Sequence, residues 1–175
     1  GVAAGPSGNA YVTGYFYNSM TVGTTTLTGT SSEMFVLKLD TNGKDLWAKS
    51  FGGSSSDQGY DIAVDGSGNS YVTGYLYSTM TVGTTTLSSN GSADVYVISL
   101  DSAGKPRWGK NWGSTSSDYG YGIAVDGSSN VYLTGYFYNS INFGGTTLTS
   151  NGSGDIYVAS LTTSGAHRWS KGGFG

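Results

Sequence analysis

At 175 residues the chain is long enough for one ordinary domain, but only 11% of it is charged, while it holds 30 glycines and 14 tyrosines; this composition suits twisted sheets and tight turns better than exposed helices. The formal net charge of −3 is small and the eight basic residues fall in three separate places, leaving no basic patch for a phosphate backbone, so nucleic acid is not an expected partner. No run of about twenty apolar residues is present to insert in a bilayer, and the absence of cysteine removes disulfides, zinc–thiolate sites and thiol nucleophiles together.

The chain opens on GVAAGPSGN, a worn copy of a block that returns as GYDIAVDGSGN from Gly59 and GYGIAVDGSSN from Gly120. Next comes GNAYVTGYFYNSMTVGTTTL at 8–27, repeated at 68–87 and 129–148 with a period of sixty to sixty-one residues. A third block, MFVLKLDTNGKDLWAKSFGG from Met34, has counterparts from Val95 and Ile156. Tandem self-similarity at this period marks a repeat architecture, with copies at 1–57, 58–118 and 119–175.

Within the middle copy, apolar and β-branched runs between turn residues predict strands at 62–65, 70–77, 95–100 and 107–112. Tyr71, Thr73 and Tyr75 fall on one face of the second strand and Val72 and Gly74 on the other. The stretch 79–94 reads as a β-hairpin inserted between the second and third strands. No helical periodicity is found. The expected fold is all-β: three tandem four-stranded antiparallel blades of a propeller, each with a hairpin insertion. Gly14, Gly74 and Gly135 recur where a bare backbone permits close approach of an adjoining sheet. Trp47, Trp108 and Trp169 recur in the fourth strand as plugs between successive sheets. Lys49, Lys110 and Lys171 lie on the outer edge, where charge opposes edge-to-edge aggregation.

These residues resemble the bacterial β-propeller repeat family called SBBP. The resemblance is carried by Ala63-Val64-Asp65 through Gly74, by Phe143-Gly144-Gly145-Thr146-Thr147-Leu148 and by Lys38-Leu39-Asp40 through Gly53, and it covers essentially the whole chain. Gly5 departs from it, standing where Asp65 and Asp126 sit. Similarity to NHL-type and quinoprotein-type repeats is confined to the Asp-to-Gly turn and the last-strand Trp. The SBBP resemblance implies a bacterial surface or secreted protein and no catalytic residues. Propellers usually close with four to eight blades, so three require further blades: from a longer parent chain, from a second copy completing a six-bladed ring, or from end-to-end stacking into a filament.

Sites of chemistry are sparse. His167 has Asp45 and Pro106 as its counterparts and reads as a surface loop residue, since a single unrepeated histidine gives a serine nucleophile little chance of a base. Asp65, Asp126, Asp94 and Asp155 sit at repeat-equivalent turns and read as turn and cap residues rather than paired glycosidase carboxylates. Asp65-Gly66-Ser67-Gly68-Asn69 offers too few carboxylates for calcium, and Gly52-Gly53-Ser54 precedes a strand, without the helix N-terminus of a phosphate loop. No metal, cofactor or catalytic residue is therefore assigned. The most suggestive set is Tyr15 and Tyr17, Tyr75 and Tyr77, and Tyr136 and Tyr138, with Asn18 and Asn139 beside them. They form either a shallow glycan-stacking surface or packing between sheets, and packing comes first because a feature repeated in every copy is readily architectural.

A surface poor in Lys and Glu and rich in Thr, Ser, Asn and Tyr suits an extracellular or cell-surface setting, with any export signal expected upstream. Asn90-Gly91-Ser92 and Asn151-Gly152-Ser153 read as hairpin turns that double as glycosylation acceptors if the host glycosylates. The expected function is a non-enzymatic module for adhesion or protein–protein interaction, with a lectin-like propeller and a filament subunit as the alternatives.

Overall fold

Alternating side chains between glycine-centred turns form antiparallel strands, and the strands group as the repeat requires. The computed structural model describes residues 1–174. Its first four-stranded sheet runs in chain order through β1 (Val2–Ala4), β2 (Ala10–Val22), β3 (Thr25–Leu39) and β4 (Asp45–Phe51). The second runs through β5 (Asp57–Val64), β6 (Ser70–Val82), β7 (Thr85–Leu100) and β8 (Pro106–Trp112). In the third, β9 (Tyr119–Val125) and β10 (Val131–Phe137) pair with β13 (Asp155–Leu161) and β14 (His167–Gly172), while β11 (Ser140–Ile141) and β12 (Leu148–Thr149) form a separate two-stranded ribbon. One short 3₁₀ turn, Pro6–Gly8, joins β1 to β2.

The hairpin is a separate insertion only in the third sheet, as the β11–β12 ribbon; in the first two it continues the central strands. In the first two sheets the central strands run on without a break, so β6 and β7 together form one long arm. Pairing jumps from Tyr77–Ala93 to Thr79–Ser88 around Ser78, whose φ is +66°. Such a bulge bends the strand and breaks its alternation, which is why the arm reads as a separate element in sequence. Asn18 and Asn139 occupy the same left-handed position, at φ +61° and +59°, a conformation asparagine tolerates better than most residues. The first strand of the second sheet likewise starts before the predicted 62–65, at Asp57, with a register shift between Gly59 and Asp61.

That shift explains the second-strand glycine, and the explanation differs from the one expected. A Cβ on Gly74 would overlap the carbonyl of Gln58, in the neighbouring strand of its own sheet, and one on Gly135 would overlap the Tyr119 carbonyl. The close approach is thus within the sheet, where the bulge pushes a carbonyl over the glycine. Tyr96 and Tyr157 hydroxyls donate to those two carbonyls at 3.1 and 3.2 Å. Contact between sheets falls instead to Gly59 and Gly120, whose hydrogens face Thr13 and Thr73 of the preceding sheet. Gly74→Ala is expected to destabilise by about 2–3 kcal/mol, since backbone blocks the new methyl group. Gly66→Ala, with nothing within 4 Å of its Cβ position, is the near-neutral control in the same thermal melts.

Two apolar cores lie between consecutive sheets. Tyr11, Met34 and Val36 of the first sheet pack with Ile62, Val72, Met80 and Ile98 of the second; Tyr71, Val95 and Val97 pack with Ile123, Leu133, Phe137 and Ala159 of the third. The middle sheet therefore buries both faces of β6 and of the second half of β7, whereas each outer sheet covers one. Fourth-strand tryptophans lock the stack. Trp47 Nε1 donates to Ser102 O at 3.2 Å and lies over Gly104, while Trp108 Nε1 donates to Thr163 O at 3.0 Å and lies over Gly165. Lys38 reaches the same Ser102 carbonyl at 3.0 Å, and Lys110 reaches Gly165 O at 2.7 Å.

Candidate ligand surface

Strand alternation and the bulge together bring tyrosines to one place. Tyr75 of β6 touches Tyr60, Tyr77 and Tyr119, with ring centroids 5.4–5.5 Å apart in each pair. Tyr121 then stacks almost parallel on both Tyr60, at 5.5 Å, and Tyr119, at 6.0 Å. Five rings from β5, β6 and β9 form one continuous cluster across two sheets, an arrangement that adds aromatic attraction to area burial. Tyr15 with Tyr17 and Tyr136 with Tyr138 form edge-to-face pairs of their own.

Exposure divides these residues by role. Tyr75 is 9% exposed and serves as the hub of the cluster, whereas Tyr15, Tyr17 and Tyr121 are 45%, 62% and 55% exposed. Tyr77, Tyr136 and Tyr138 are half-buried. Burial raises the phenol pKa of Tyr75 and of Tyr60 above the ordinary value, so both remain neutral hydroxyl-bearing rings through the physiological range. Asn18 and Asn139 are exposed bulge residues, and Asn139 donates to Ser116 Oγ at 2.8 Å, tying its arm to the loop before β9. Beside Asn139 a cleft of about 370 Å³ is lined by Ser92, Ser116, Ser117, Tyr119 and Tyr138. Tyr60, Tyr119 and Tyr121 escape a reading of the second strand alone. The signal for Tyr60 and Tyr121 is the Gly-Tyr pair repeated at Gly59-Tyr60 and Gly120-Tyr121 at the head of the first strand, whereas Tyr119, with Gln58 as its counterpart, carries no repeated signal.

The remaining polar residues have local duties. Asp65 Oδ1 accepts from the Ser67 and Asn69 amides, both at 2.9 Å, while Oδ2 accepts from the Asn69 side chain and the Tyr71 hydroxyl. Burial alone would raise its pKa, but these donors outweigh it and hold the carboxyl below its usual range. Asp126 repeats the arrangement, and donors led by Asn130 bring its pKa down to about 2. Where Gly5 replaces the acid, the Tyr11 ring fills the space and its hydroxyl donates to Gly68 O of the next sheet at 3.1 Å.

His167 is the first residue of β14 rather than part of a loop, and its ring lies against Gly144 and Gly145. Asp45 and Pro106 cover Gly23 and Gly83 in the same way, so this position roofs the hairpin turn in every sheet. Ser170 Oγ is 3.2 Å from His167 Nε2, a neighbour on the same strand.

Acids of another kind line the sheet junctions. Glu33 and Asp57 meet beside Gly52, and Asp94 and Asp118 flank the Cβ position of Gly113. Asp94 accepts from the Asn90 amide, as a turn residue does, yet it is fully buried and its Oδ1 has no hydrogen-bond partner; Asp57 Oδ1 has none either. Burial, with the charge of Glu33 adding to it, pushes Asp57 up to about 7. Burial also pushes Asp118 up to about 6, with Asp94 contributing. Among the described residues, no group of three or more His, Cys, Asp or Glu side chains is placed to hold a metal ion.

Comparison with known proteins finds a family match in two segments of the chain. Residues 46–75 and 109–136 match the SBBP family, described as a beta-propeller repeat. Each matched segment starts in the fourth strand of one sheet and ends in the second strand of the next, and so spans a sheet junction. The chain is also 25% identical over 120 residues to an uncharacterized WD repeat-containing protein of Acanthamoeba polyphaga mimivirus, an alignment covering 58% of this chain. It spans only 9% of that viral protein's length.

Proposed function

We propose, from the premise that this chain carries SBBP beta-propeller repeats, that its three sheets are consecutive propeller blades forming a non-catalytic module for protein–protein interaction or adhesion, displayed outside the cell or at its surface. The observation that carries this reading is the tyrosine cluster. Half-buried rings packed around Tyr75, with the exposed Tyr121 stacked on two of them, give a rigid aromatic surface of the kind enriched at protein interfaces, with little side-chain entropy left to lose on binding. Turn, roofing and junction duties account for His167, Asp65, Asp126 and Asp94, which supports a binding role over a catalytic one.

Panning the folded chain against a random peptide library tests this. Enriched peptides are expected to bind the Tyr17→Ala/Tyr121→Ala double variant at least about tenfold more weakly, a loss of ~1.4 kcal/mol; both rings are exposed, so the variant should stay folded, melting lower only by the ring contacts it loses. Enrichment of no peptide, or equal binding to the variant, would count against the interaction reading. The serine- and tyrosine-lined cleft favours a second reading, a lectin-like site in which Tyr138 and Tyr119 stack on a sugar. On a glycan array, Tyr138→Ala should then abolish a specific signal, whereas an array without any signal ends the lectin reading.

A further inference from the structure

The two ends of the sheet stack carry the two halves of a contact that the molecule already makes twice internally. In the first sheet Tyr11, Thr13, Met34 and Val36 are buried to 0–3% by the second sheet, and in the second Tyr71, Thr73, Val95 and Val97 are buried completely by the third. Their counterparts on the third sheet are open: Ile156 is 52% exposed, Thr134 is exposed, and Tyr132 and Val158 are half-buried beside an apolar groove of about 470 Å³. Trp169 is 40% exposed, whereas Trp47 and Trp108 each cover a glycine and donate to a turn carbonyl of the following sheet.

The opposite end presents the complement. Gly43, counterpart of Gly104 and Gly165, has nothing within 4 Å of its Cβ position, so its turn lacks the indole lid that the other two carry. Val2 is 70% exposed where Ile62 and Ile123 are 3% and 8% exposed. Val12 and Leu37 are half-buried where Val72 and Ile98 are fully buried.

We infer that the third sheet of one copy docks on the first sheet of a second copy, with Trp169 seated over Gly43 and donating to the Thr41 carbonyl, and that two copies close head to tail into a ring. The inference rests on reading the sheets as propeller blades. Propellers close with about four to eight blades, and two copies of the three four-stranded sheets described here give six, within that range. The contact is heterologous, so closure, rather than self-complementarity of one patch, stops growth.

Sedimentation velocity at micromolar concentration is expected to show a dimer. Ile156→Glu and Val2→Glu, on opposite end faces and both exposed within one chain, should each give folded monomers. Mixed together, the two variants should recover a dimer through the one intact interface, formed by the third sheet of Val2→Glu on the first sheet of Ile156→Glu. A wild-type monomer, open-ended growth, or no recovery on mixing overturns the ring. A single polypeptide holding two copies in tandem separates this failure from failure of the blade reading. If wild type is monomeric but the tandem chain melts higher and protects Trp169 from solvent quenchers, the blade reading stands and only self-association is lost; if the tandem chain gains neither, both fall.

Discussion

Trp108→Ala is expected to cost about 3 kcal/mol, at the lower end for removal of a packed tryptophan because the ring is only half-buried. The indole packs against the core between the second and third sheets, fills the space over Gly165, lies 6.1 Å from the Tyr71 ring and donates to Thr163 O. Removing it leaves that carbonyl to water and opens a gap at the junction, so the third sheet should loosen before the first. Thermal melts should fall by roughly 6–12 °C for a chain of this size. Hydrogen exchange should quicken in β13 and β14 while β2 and β3 keep their protection. Trp169→Ala removes the same side chain at an uncovered position, and in the monomeric Val2→Glu background it should cost well under half as much. Equal losses for the two tryptophans would mean that the indole acts within its own sheet and not across the junction.

Stability should be higher near pH 5 than near pH 8, the reverse of what hydrogen-bonded surface carboxylates alone would give. Asp57 and Asp118 have folded pKa values of about 7 and about 6, above the ordinary 3.8, so the folded chain holds protons that the unfolded chain releases. Their contribution is complete below the unfolded value and is lost as pH rises through 6 to 7. Asp65 and Asp126 are shifted downward, so their contribution is present above pH 4 and lost as pH falls toward 2. The two effects place the optimum in mildly acid solution. Each pKa unit is worth ~1.4 kcal/mol, and with allowance for water screening the loss between pH 5 and 8 should be roughly 2–4 kcal/mol for the two junctions together. Asp57→Asn is the informative variant: an amide oxygen still accepts from the Gly53 amide, a bond of 2.9 Å in the parent, and the amide nitrogen replaces the unpartnered oxygen. Denaturation midpoints for the variant should lie above the parent at pH 8 and vary less with pH. A parent midpoint that is flat or rises from pH 5 to pH 8 would show that both acids ionise freely in the fold.

What the chain order of residues determines here is whatever depends on near neighbours. Alternation along 70–77, the Asp-to-Gly turns and the threefold return of Tyr, Gly and Trp specify antiparallel sheets of four strands, because pleat and turn chemistry act over a few residues. Ser78 shows where this stops. A single left-handed residue lets β6 run through into the arm, and no local pattern distinguishes that bulge from the end of a strand. The same limit applies to Gly74, which makes room within its sheet, and to His167, whose partners are the glycines of a turn more than twenty residues earlier. The tyrosine cluster joins Tyr75 to Tyr119 and Tyr121, and the junction pairs Asp94 with Asp118; both cross from one sheet to the next. Such contacts depend on how twisted sheets stack, so tertiary structure alone settled which aromatic rings stay exposed, which carboxyl groups keep their protons, and which faces at the two ends remain open.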